Sequence, residues 1–501
     1  MSILGDSNAW YTGKGRTIGL PGDDLIKVNA MAPAAFEAQS KYRGRWRALA
    51  AVLAGSVMGP LDASIVYVSL PSIAQQFRVE PAAVGWVSMG YLLIMGGFLL
   101  SFGRLGDMLG FKRIYLSGLA VFTLASLACS LAGSLASLIL YRAVQAVGAG
   151  MSLSMTPAII ADAFPPEERG RALGINGMVV AAGLALGPSL GGLLVDLAGW
   201  RSIFWVNLPI GLAAVILAQR VLPARTGSAR SRFDWPGSLL GFFSLLCLLL
   251  SASQGQLGRG SGWSSLLGVL GLGLAVWFVR WEGRAPQPIL DLSLFRQRWF
   301  SVGNAASLLN FVTQYVIVFL TPFLLQQEMG LKPGRAGALM TAFPLTVLVV
   351  APVAGALSDR LGQRSLALAG SCCCTAAAFG LSCSAPSAGP PEAACWLGLF
   401  GLGTGLFQTP NTSAVMGAVP PGRLGIASGV LATARNVGMV FGIALGGTIL
   451  SAPPAGSVIY AGVSPFLHGI QAAYLAAAFV SALATAVLLT PSDSSGPGPA
   501  G

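Results

Sequence analysis

Fourteen apolar runs, each close to the length that crosses a lipid bilayer, dominate this sequence. A transmembrane helix needs about 20 residues, because each residue advances the helix by about 1.5 Å. The chain of 501 residues is 54% hydrophobic and only 10% charged, so a water-soluble core could not hide its apolar surface. We therefore predict an all-α integral membrane protein whose spans lie near 48–70, 84–103, 113–132, 136–160, 171–195, 199–219, 236–253, 263–281, 299–325, 336–357, 365–384, 392–418, 424–450 and 469–490.

The second half of the chain repeats the first. Eight of the nine glycines between positions 148 and 192 recur at an offset of 255. Further upstream, Gly103, Asp107 and Gly110 recur at an offset of 252. Recurrence of this kind indicates an internal duplication. Two similar halves around a central pathway are typical of secondary transporters, in which one half rocks against the other.

These patterns predict five parts. They are a cytoplasmic N-terminal tail (1–46), a six-helix bundle (47–222), a linker with two extra transmembrane helices (223–298), a second six-helix bundle (299–490) and a disordered C-terminal tail (491–501). The tail at 1–46 lacks the apolar core of a signal peptide. Two inserted helices add about 60 residues, which lengthens a six-helix period of about 190 residues to about 250.

Charge sets the expected orientation. With the N-terminus inside, 23 of the 30 Lys and Arg lie on the inner side, as the positive-inside rule requires. We therefore predict a multi-pass protein of a bacterial-type plasma membrane with both termini in the cytoplasm. The net charge of +12 is explained by this topology, so no nucleic-acid partner is expected.

The sequence does not predict an enzyme or a bound cofactor. It has no Walker loop, no metal-ligand cluster and no nucleophile motif with a base, and its seven cysteines form no CxxC. The driving force is therefore expected to come from an ion gradient rather than from nucleotide hydrolysis.

Several motifs resemble signatures of the major facilitator superfamily. The first is GRLGDMLGFKR at 103–113, whose degenerate copy is GALSDRLGQR at 355–364. An acidic residue at a helix end can bond nearby helix N-termini and pair with an arginine, while glycines permit the tight turn. The resemblance implies a conformational gating loop made of Gly103, Arg104, Gly106, Asp107, Gly110, Lys112, Arg113, Asp359, Arg360, Gly362 and Arg364.

Two further motifs lie within spans. YRAVQAVGAG at 141–150 resembles the proton-linked signature of the same superfamily, with Ala146 where the family usually has Gly. GLALGPSLGG at 183–192 resembles its antiporter signature, which is associated with exporters. Small residues at this spacing let helices approach closely, and proline kinks the span. The motif residues are Gly183, Gly187, Pro188, Gly191 and Gly192.

Four more segments narrow the resemblance to the fourteen-span drug:proton antiporter family. They are LDASIVYVSLP at 61–71, WRSIFWVNLPIG at 200–211, PILDLSLFRQRWF at 288–300 and SGVLATARNVG at 428–438. The resemblance covers about residues 45 to 490 and departs from the family at Tyr67 and Asn436.

The expected depths of two charged residues in the membrane indicate a proton site. Asp62 lies about 14 residues into the first span, roughly 21 Å from the inner side, and Arg142 lies about 6 residues into the fourth span from the outer side. In a hydrocarbon core about 30 Å thick, both reach the same level. A buried carboxylate that faces a buried guanidinium can act as a proton switch, so we predict Asp62 as the coupling carboxylate and Arg142 as its electrostatic regulator. A static ion pair that locks two helices is the alternative.

Other polar residues at span depth are candidates for the lining of a substrate cavity, although such groups often only hydrogen-bond between helices. The expected cavity is large and apolar and recognises lipophilic, often cationic compounds through Asp62 and few other acidic groups. The candidates are Tyr91, Gln145, Asn176, Asn304, Asn310, Gln314, Gln408, Asn411 and Arg435.

Together these features predict a proton-coupled secondary transporter that exports drug-like or amphiphilic organic molecules by alternating access. A monomer is expected. One alternative is a dedicated exporter, or an importer, of one endogenous metabolite or siderophore. An alternative of another class is a non-transporting membrane sensor or scaffold. That last reading would require a sizeable soluble domain or the loss of Asp62 and Arg142, and the sequence shows neither.

Overall fold

The computed structural model describes residues 44–223, 234–253, 261–284, 292–384, 389–420, 423–451 and 464–490, which contain helices and turns but no strand. Most of the predicted N-terminal tail and all of the C-terminal tail lie outside these ranges. We number the helices as membrane-length elements: α1 (Arg45–Ser56 and Met58–Phe77), α2 (Pro81–Leu109), α3 (Phe111–Ser130), α4 (Leu135–Ala163), α5 (Pro166–Ala198), α6 (Ser202–Trp205 and Asn207–Val221), α7 (Trp235–Ser253), α8 (Ser261–Glu282), α9 (Arg298–Phe323, extended by a π-turn at Leu324–Glu328), α10 (Pro333–Met340 and Ala342–Leu361), α11 (Gln363–Ser384), α12 (Pro390–Gly417), α13 (Leu424–Ser451) and α14 (Pro465–Leu489).

Twelve helices of the described ranges are long and apolar enough to cross a membrane, so the chain is a multi-pass membrane protein. Two of the fourteen predicted spans, α7 and α12, are not among these twelve helices. The apolar part of α7, Pro236–Ser251, is shorter. Helix α12 is 28 residues long but contains Gln408, Asn411 and several glycines. The all-α membrane fold is confirmed, and the total of fourteen spans stays a prediction.

The helices of the two halves pack in the same pairs. In the first half α1 lies along α5, and α4 packs on both α2 and α3. In the second half α9 lies along α13, and α12 packs on both α10 and α11. The glycine contacts repeat as well. A Cβ on Gly148 would lie 2.6 Å from the carbonyl oxygen of Gly118, and one on Gly403 would lie 2.7 Å from that of Gly370. The duplication seen in the sequence is therefore also a duplication of helix packing.

The inserted helices lie beside the two halves. Helix α7 contacts α2 and α13, and Phe242 of α7 stacks on Phe98 of α2 with ring centroids 4.8 Å apart. Helix α8 packs on α7, and nearly all of its apolar segment is left uncovered by the rest of the protein. The insert therefore covers the contact between α2 and α13 from outside.

The two halves are bonded to each other at one end, which we call the sealed end. There the Ser189 and Thr341 hydroxyls lie 2.7 Å apart, and the Gly334 N–H donates to Asp196 Oδ2 over 2.9 Å. These contacts join α5 to the start of α10, where Gly192 packs directly on the α10 backbone. The loop 103–113 lies at the opposite end of the molecule.

The predicted gating loop is a turn at the end opposite the sealed end, and it occurs in both halves. Gly110 and Gly362 have φ of +94° and +86°, a conformation that favours glycine. Lys112 Nζ donates to the Gln219 carbonyl over 2.8 Å, at the end of α6. Arg364 donates in the same way to the last carbonyls of α14, at 3.0 and 3.2 Å. Each basic residue thereby caps the sixth helix of its own half.

Other described residues of this loop lie in different surroundings. Arg113 and Arg360 are exposed, and Gly103 has open space where a Cβ would lie. A Cβ on Gly106 would meet the Met155 side chain. The side chains of Arg104, Asp107 and Asp359 lie outside the described part of the structure, so their gating role stays a prediction.

Candidate functional site

A buried ion pair lies in the middle of the first half. Asp62 of α1 and Arg142 of α4 are joined through Oδ2 and Nη1, and each side chain is 1% exposed. The other carboxylate oxygen, Oδ1, accepts hydrogen bonds from Gln145 Nε2 at 3.0 Å and from Asn207 Nδ2 at 2.7 Å. Both oxygens therefore accept N–H donors, an arrangement that stabilises the ionised carboxylate.

Neighbouring groups complete this network. Ser126 Oγ accepts from Gln145 Nε2 at 2.8 Å, and the Arg142 guanidinium lies 4.2 Å from the ring centroid of Tyr91. Arg142 Nη1 also donates to Gln145 Oε1 at 2.7 Å. Residues of α1, α2, α3, α4 and α6 thus meet at Asp62. The pair lies at the common depth that the sequence arithmetic predicts, while its role in coupling is not tested by this geometry.

The antiporter motif brings α5 close to two other helices. Gly183, Gly187 and Gly191 face α1, and a Cβ on Gly187 would lie 1.7 Å from Ser64 Oγ. Gly192 faces α10, where a Cβ would lie 2.2 Å from the Pro333 carbonyl oxygen. The Pro188 carbonyl, one turn earlier, also contacts α10. The motif therefore holds α5 against the helix that carries Asp62 and against the other half of the molecule.

Two adjoining cavities occupy the space between the halves. Their volumes are about 290 and 310 Å³, and they share the side chains of Leu184, Tyr315 and Arg435. Pockets that bind drug-sized ligands have volumes of about 300 to 1,000 Å³, so each cavity is close to the lower limit of that range. Aromatic, aliphatic and amide side chains form most of the described walls. The central cavity expected from the duplication is therefore present.

Four of the nine candidate polar residues line these cavities. Tyr91 lines one, Gln314 and Gln408 line the other, and Arg435 lines both. Gln408 Nε2 donates to Gln314 Oε1 over 3.1 Å.

The other five candidates lie elsewhere. Gln145 belongs to the Asp62 network. Three asparagines are buried. Asn304 bonds Phe300 O of its own helix at 2.8 Å, Asn310 approaches Cys374 Sγ of α11 at 3.8 Å, and Asn411 bonds Gly303 O of α9 at 3.0 Å. Asn176 is half-buried on α5 and is absent from the described linings of both cavities. Asn310 and Asn411 therefore fit the interhelical alternative better than a role in the cavity.

The charge of the cavity differs from the sequence-based expectation of an acidic site. Asp62 is enclosed by its network and is absent from the described cavity walls. Along those walls, the charged side chain that the structure describes is Arg435. The fold shields Asp62 because five helices supply its neighbours, which the spacing of one helix could not reveal.

Sequence reasoning missed several residues of the site. Asn207 and Ser126 are buried partners of the Asp62 network. Tyr67 and Tyr315 pack edge to face across the two halves, with ring centroids 5.8 Å apart. The position of Asn207 within WRSIFWVNLPIG was a signal, since an amide in a membrane span needs a partner. The aromatic residues gave no comparable signal among many apolar neighbours.

Comparison with known proteins shows the family to which this chain belongs. The model described as Major Facilitator Superfamily matches residues 52–443. This chain belongs to the major facilitator superfamily. It is therefore a membrane transporter rather than an enzyme.

Relatives of the chain include transporters and drug exporters. The riboflavin transporter RibZ of Clostridioides difficile is 36% identical over 80% of this chain and 87% of its own length. The multidrug resistance protein Stp of Mycobacterium tuberculosis is 36% identical over 78% of this chain and 73% of its own. The tetracenomycin C resistance and export protein of Streptomyces glaucescens is 31% identical over 82% of this chain and 77% of its own. These names agree with the predicted resemblance to drug antiporters.

Solved structures show the same fold. The xylose transporter XylE of E. coli superposes with a TM-score of 0.59 and 15% identity, covering 88% of this chain and 96% of its own. A bacterial homologue of the human lysosomal transporter Spinster gives a TM-score of 0.62 and 16% identity, covering 89% and 96%. At this identity the likeness establishes the fold alone.

Proposed function

We propose that this protein is a proton-coupled exporter of drug-like or amphiphilic organic molecules, which works by alternating access in the plasma membrane. The observation that carries the proposal is a fully buried carboxylate, Asp62, ion-paired to Arg142 beside a central cavity. Relatives named for multidrug resistance and for drug export support the substrate class. The protein works as a monomer with both termini in the cytoplasm, since one chain supplies both halves, and the proton gradient supplies the energy without a cofactor.

A proton on Asp62 would unbalance the charges of this network. The ionised carboxylate accepts N–H groups from Arg142, Gln145 and Asn207. A proton on either oxygen removes the charge that balances Arg142, and an unbalanced guanidinium is costly at this depth. Proton uptake therefore loosens the contact between α1 and α4, and proton release restores it.

Helix packing offers a route from this pair to the sealed end. Helix α1 lies on the glycine face of α5, and α5 holds α10 through Gly192 and the Ser189–Thr341 bond. Movement of α1 thereby changes the contact between the halves. Protons then enter while substrate leaves, because each occupies the protein in a different conformation.

The decisive experiment replaces Asp62 in the reconstituted transporter. Asp62→Asn keeps the shape and removes the titrating group, so we expect substrate extrusion driven by a pH difference to fall by about 100-fold. Glu80→Gln is the matched control, since it makes the same chemical change at an exposed carboxylate and should leave transport intact. Retained proton-driven extrusion by Asp62→Asn at normal expression would show that the pair is structural only.

A dedicated metabolite exporter is the second candidate, favoured by the similarity to the riboflavin transporter of Clostridioides difficile. A growth-inhibition panel with wild type, empty vector and Asp62→Asn separates the two. Changed sensitivity to several unrelated compounds supports the multidrug proposal, and unchanged sensitivity to all of them supports the metabolite exporter. Proton-dependent accumulation in inside-out vesicles tests the direction of transport.

A further inference from the structure

Arg435 is the charged side chain that faces both central cavities. It lies in the middle of α13, and the described walls of the two cavities contain no acidic side chain to balance it. A cation placed in a mostly apolar cavity at membrane depth is expensive. The position therefore needs an explanation that packing alone does not give.

Its hydrogen-bonding capacity is largely unused. One nitrogen, Nη2, donates to Thr412 Oγ1 over 2.9 Å, and Nε has no hydrogen-bond partner. The guanidinium also lies 5.7 Å from the ring centroid of Phe311, a weaker contact than a carboxylate would give. Arg142, the other arginine at span depth, has a carboxylate, an amide oxygen and a backbone carbonyl as acceptors. A planar fork of five donors, mostly free, is suited to a carboxylate or phenolate.

The surroundings of Arg435 favour a planar aromatic molecule. Phe311 and Tyr315 lie one turn apart on α9 and line the same cavity, and Tyr67 meets Tyr315 edge to face from the other half. Gln314 lies on the same face of α9 and supplies an amide beside the rings. Aromatic walls stack on flat rings, and amides orient the polar groups that such rings carry.

We propose that the substrate subsite at Arg435 binds aromatic organic anions, with the guanidinium on an acidic oxygen and the rings of Phe311 and Tyr315 against the aromatic body. The proposal rests on the proposed transport function and specifies the charge of its substrate. It reverses the cationic preference that the sequence suggested, because Asp62 is shielded and Arg435 is not.

The test compares two dyes that share a xanthene core and differ in charge. Fluorescein is anionic and tetramethylrhodamine methyl ester is cationic. Their binding to the purified full-length protein in detergent is measured by fluorescence anisotropy, without any gradient. We expect Arg435→Gln to weaken fluorescein binding by about 10-fold or more, because a charge-assisted hydrogen-bond pair is lost. The same variant should bind the cationic dye as well as wild type does or better.

Two further variants keep the result interpretable. Arg435→Lys retains the charge but loses the fork, so its fluorescein affinity should be intermediate. Met439→Leu changes a neutral wall residue at similar volume and should alter both affinities by the same factor. An unchanged ratio of the two affinities in Arg435→Gln overturns the proposal, as does failure of wild type to bind fluorescein. Because binding needs no proton gradient, these outcomes are independent of the Asp62→Asn transport result.

Discussion

The two halves of the molecule share their helix packing and differ in their polar interior. Equivalent glycine contacts show which residues of one half correspond to which residues of the other. A Cβ on Gly187 would lie 3.2 Å from the Ile65 nitrogen, and one on Gly442 would lie 3.2 Å from the Val316 nitrogen. In this register Asp62 corresponds to Thr313, which is fully buried and donates to a backbone carbonyl of α14 at 3.2 Å.

Two other members of the ion-pair network correspond to apolar residues in the second half. At the offset of 255, Arg142 corresponds to Leu397 and Gln145 to Phe400, both buried. The second half has its own arginine, Arg435, whose counterpart in the first half is Val180. Duplication thus preserved the glycines that set helix distance, while the charged groups inside the two halves differ. In the first half the charges are enclosed, and in the second the charge faces the cavity.

The largest expected difference between the halves concerns stability. Arg142→Leu leaves Asp62 buried without its partner and should lower the free energy of unfolding by about 3–5 kcal/mol. Thr313→Val, at the corresponding place, removes one neutral hydrogen bond and should cost about 1 kcal/mol. Thermal unfolding in detergent measures both. Asp62→Asn/Arg142→Leu should recover part of the loss, and equal melting of Arg142→Leu and Thr313→Val would contradict the contrast.

A smaller effect is expected where the halves are most alike. Gly187→Ala puts a methyl group on Ser64, and Gly442→Ala puts one 2.5 Å from the Val312 carbonyl oxygen, so each should cost about 1–3 kcal/mol by overpacking. Adding Ser64→Gly should restore the first variant, because a side chain is the main obstacle there. The second has a backbone obstacle that no side-chain change removes. If Ser64→Gly gives no recovery of Gly187→Ala in melting temperature, the proposed contact is not the limiting one.

The smallest effect concerns the sealed end. Asp196 accepts from the Gly334 N–H at the start of α10, and its counterpart at the offset of 255 is Ser451. Asp196→Asn keeps an acceptor but loses the charge at a helix N-terminus, a change of about 0.3–1 kcal/mol. We expect the population with an opened sealed end to rise by about 2- to 5-fold. Spin-label distances between α5 and α10 measure this, with Glu80→Gln as the control. A population that shifts toward closure would exclude a latching role for Asp196.

Much of the architecture follows from the sequence because lipid leaves few alternatives. Backbone groups in a bilayer must bond internally, so long apolar runs become helices, and the recurring glycines reveal which helix contacts are repeated. The depth of a residue follows from its position along a helix. That is why Asp62 and Arg142 could be matched in level before any contact was known.

The direction in which each side chain points was decided by the tertiary structure. Helices that are apolar on every side carry little signal about which face is inside, unlike amphipathic helices of soluble proteins. Depth along the axis was therefore predictable, and rotation about it was not. Only the packed bundle enclosed Asp62 with Asn207 and Ser126, turned Arg435 toward the cavity, and placed Asn310 and Asn411 between helices.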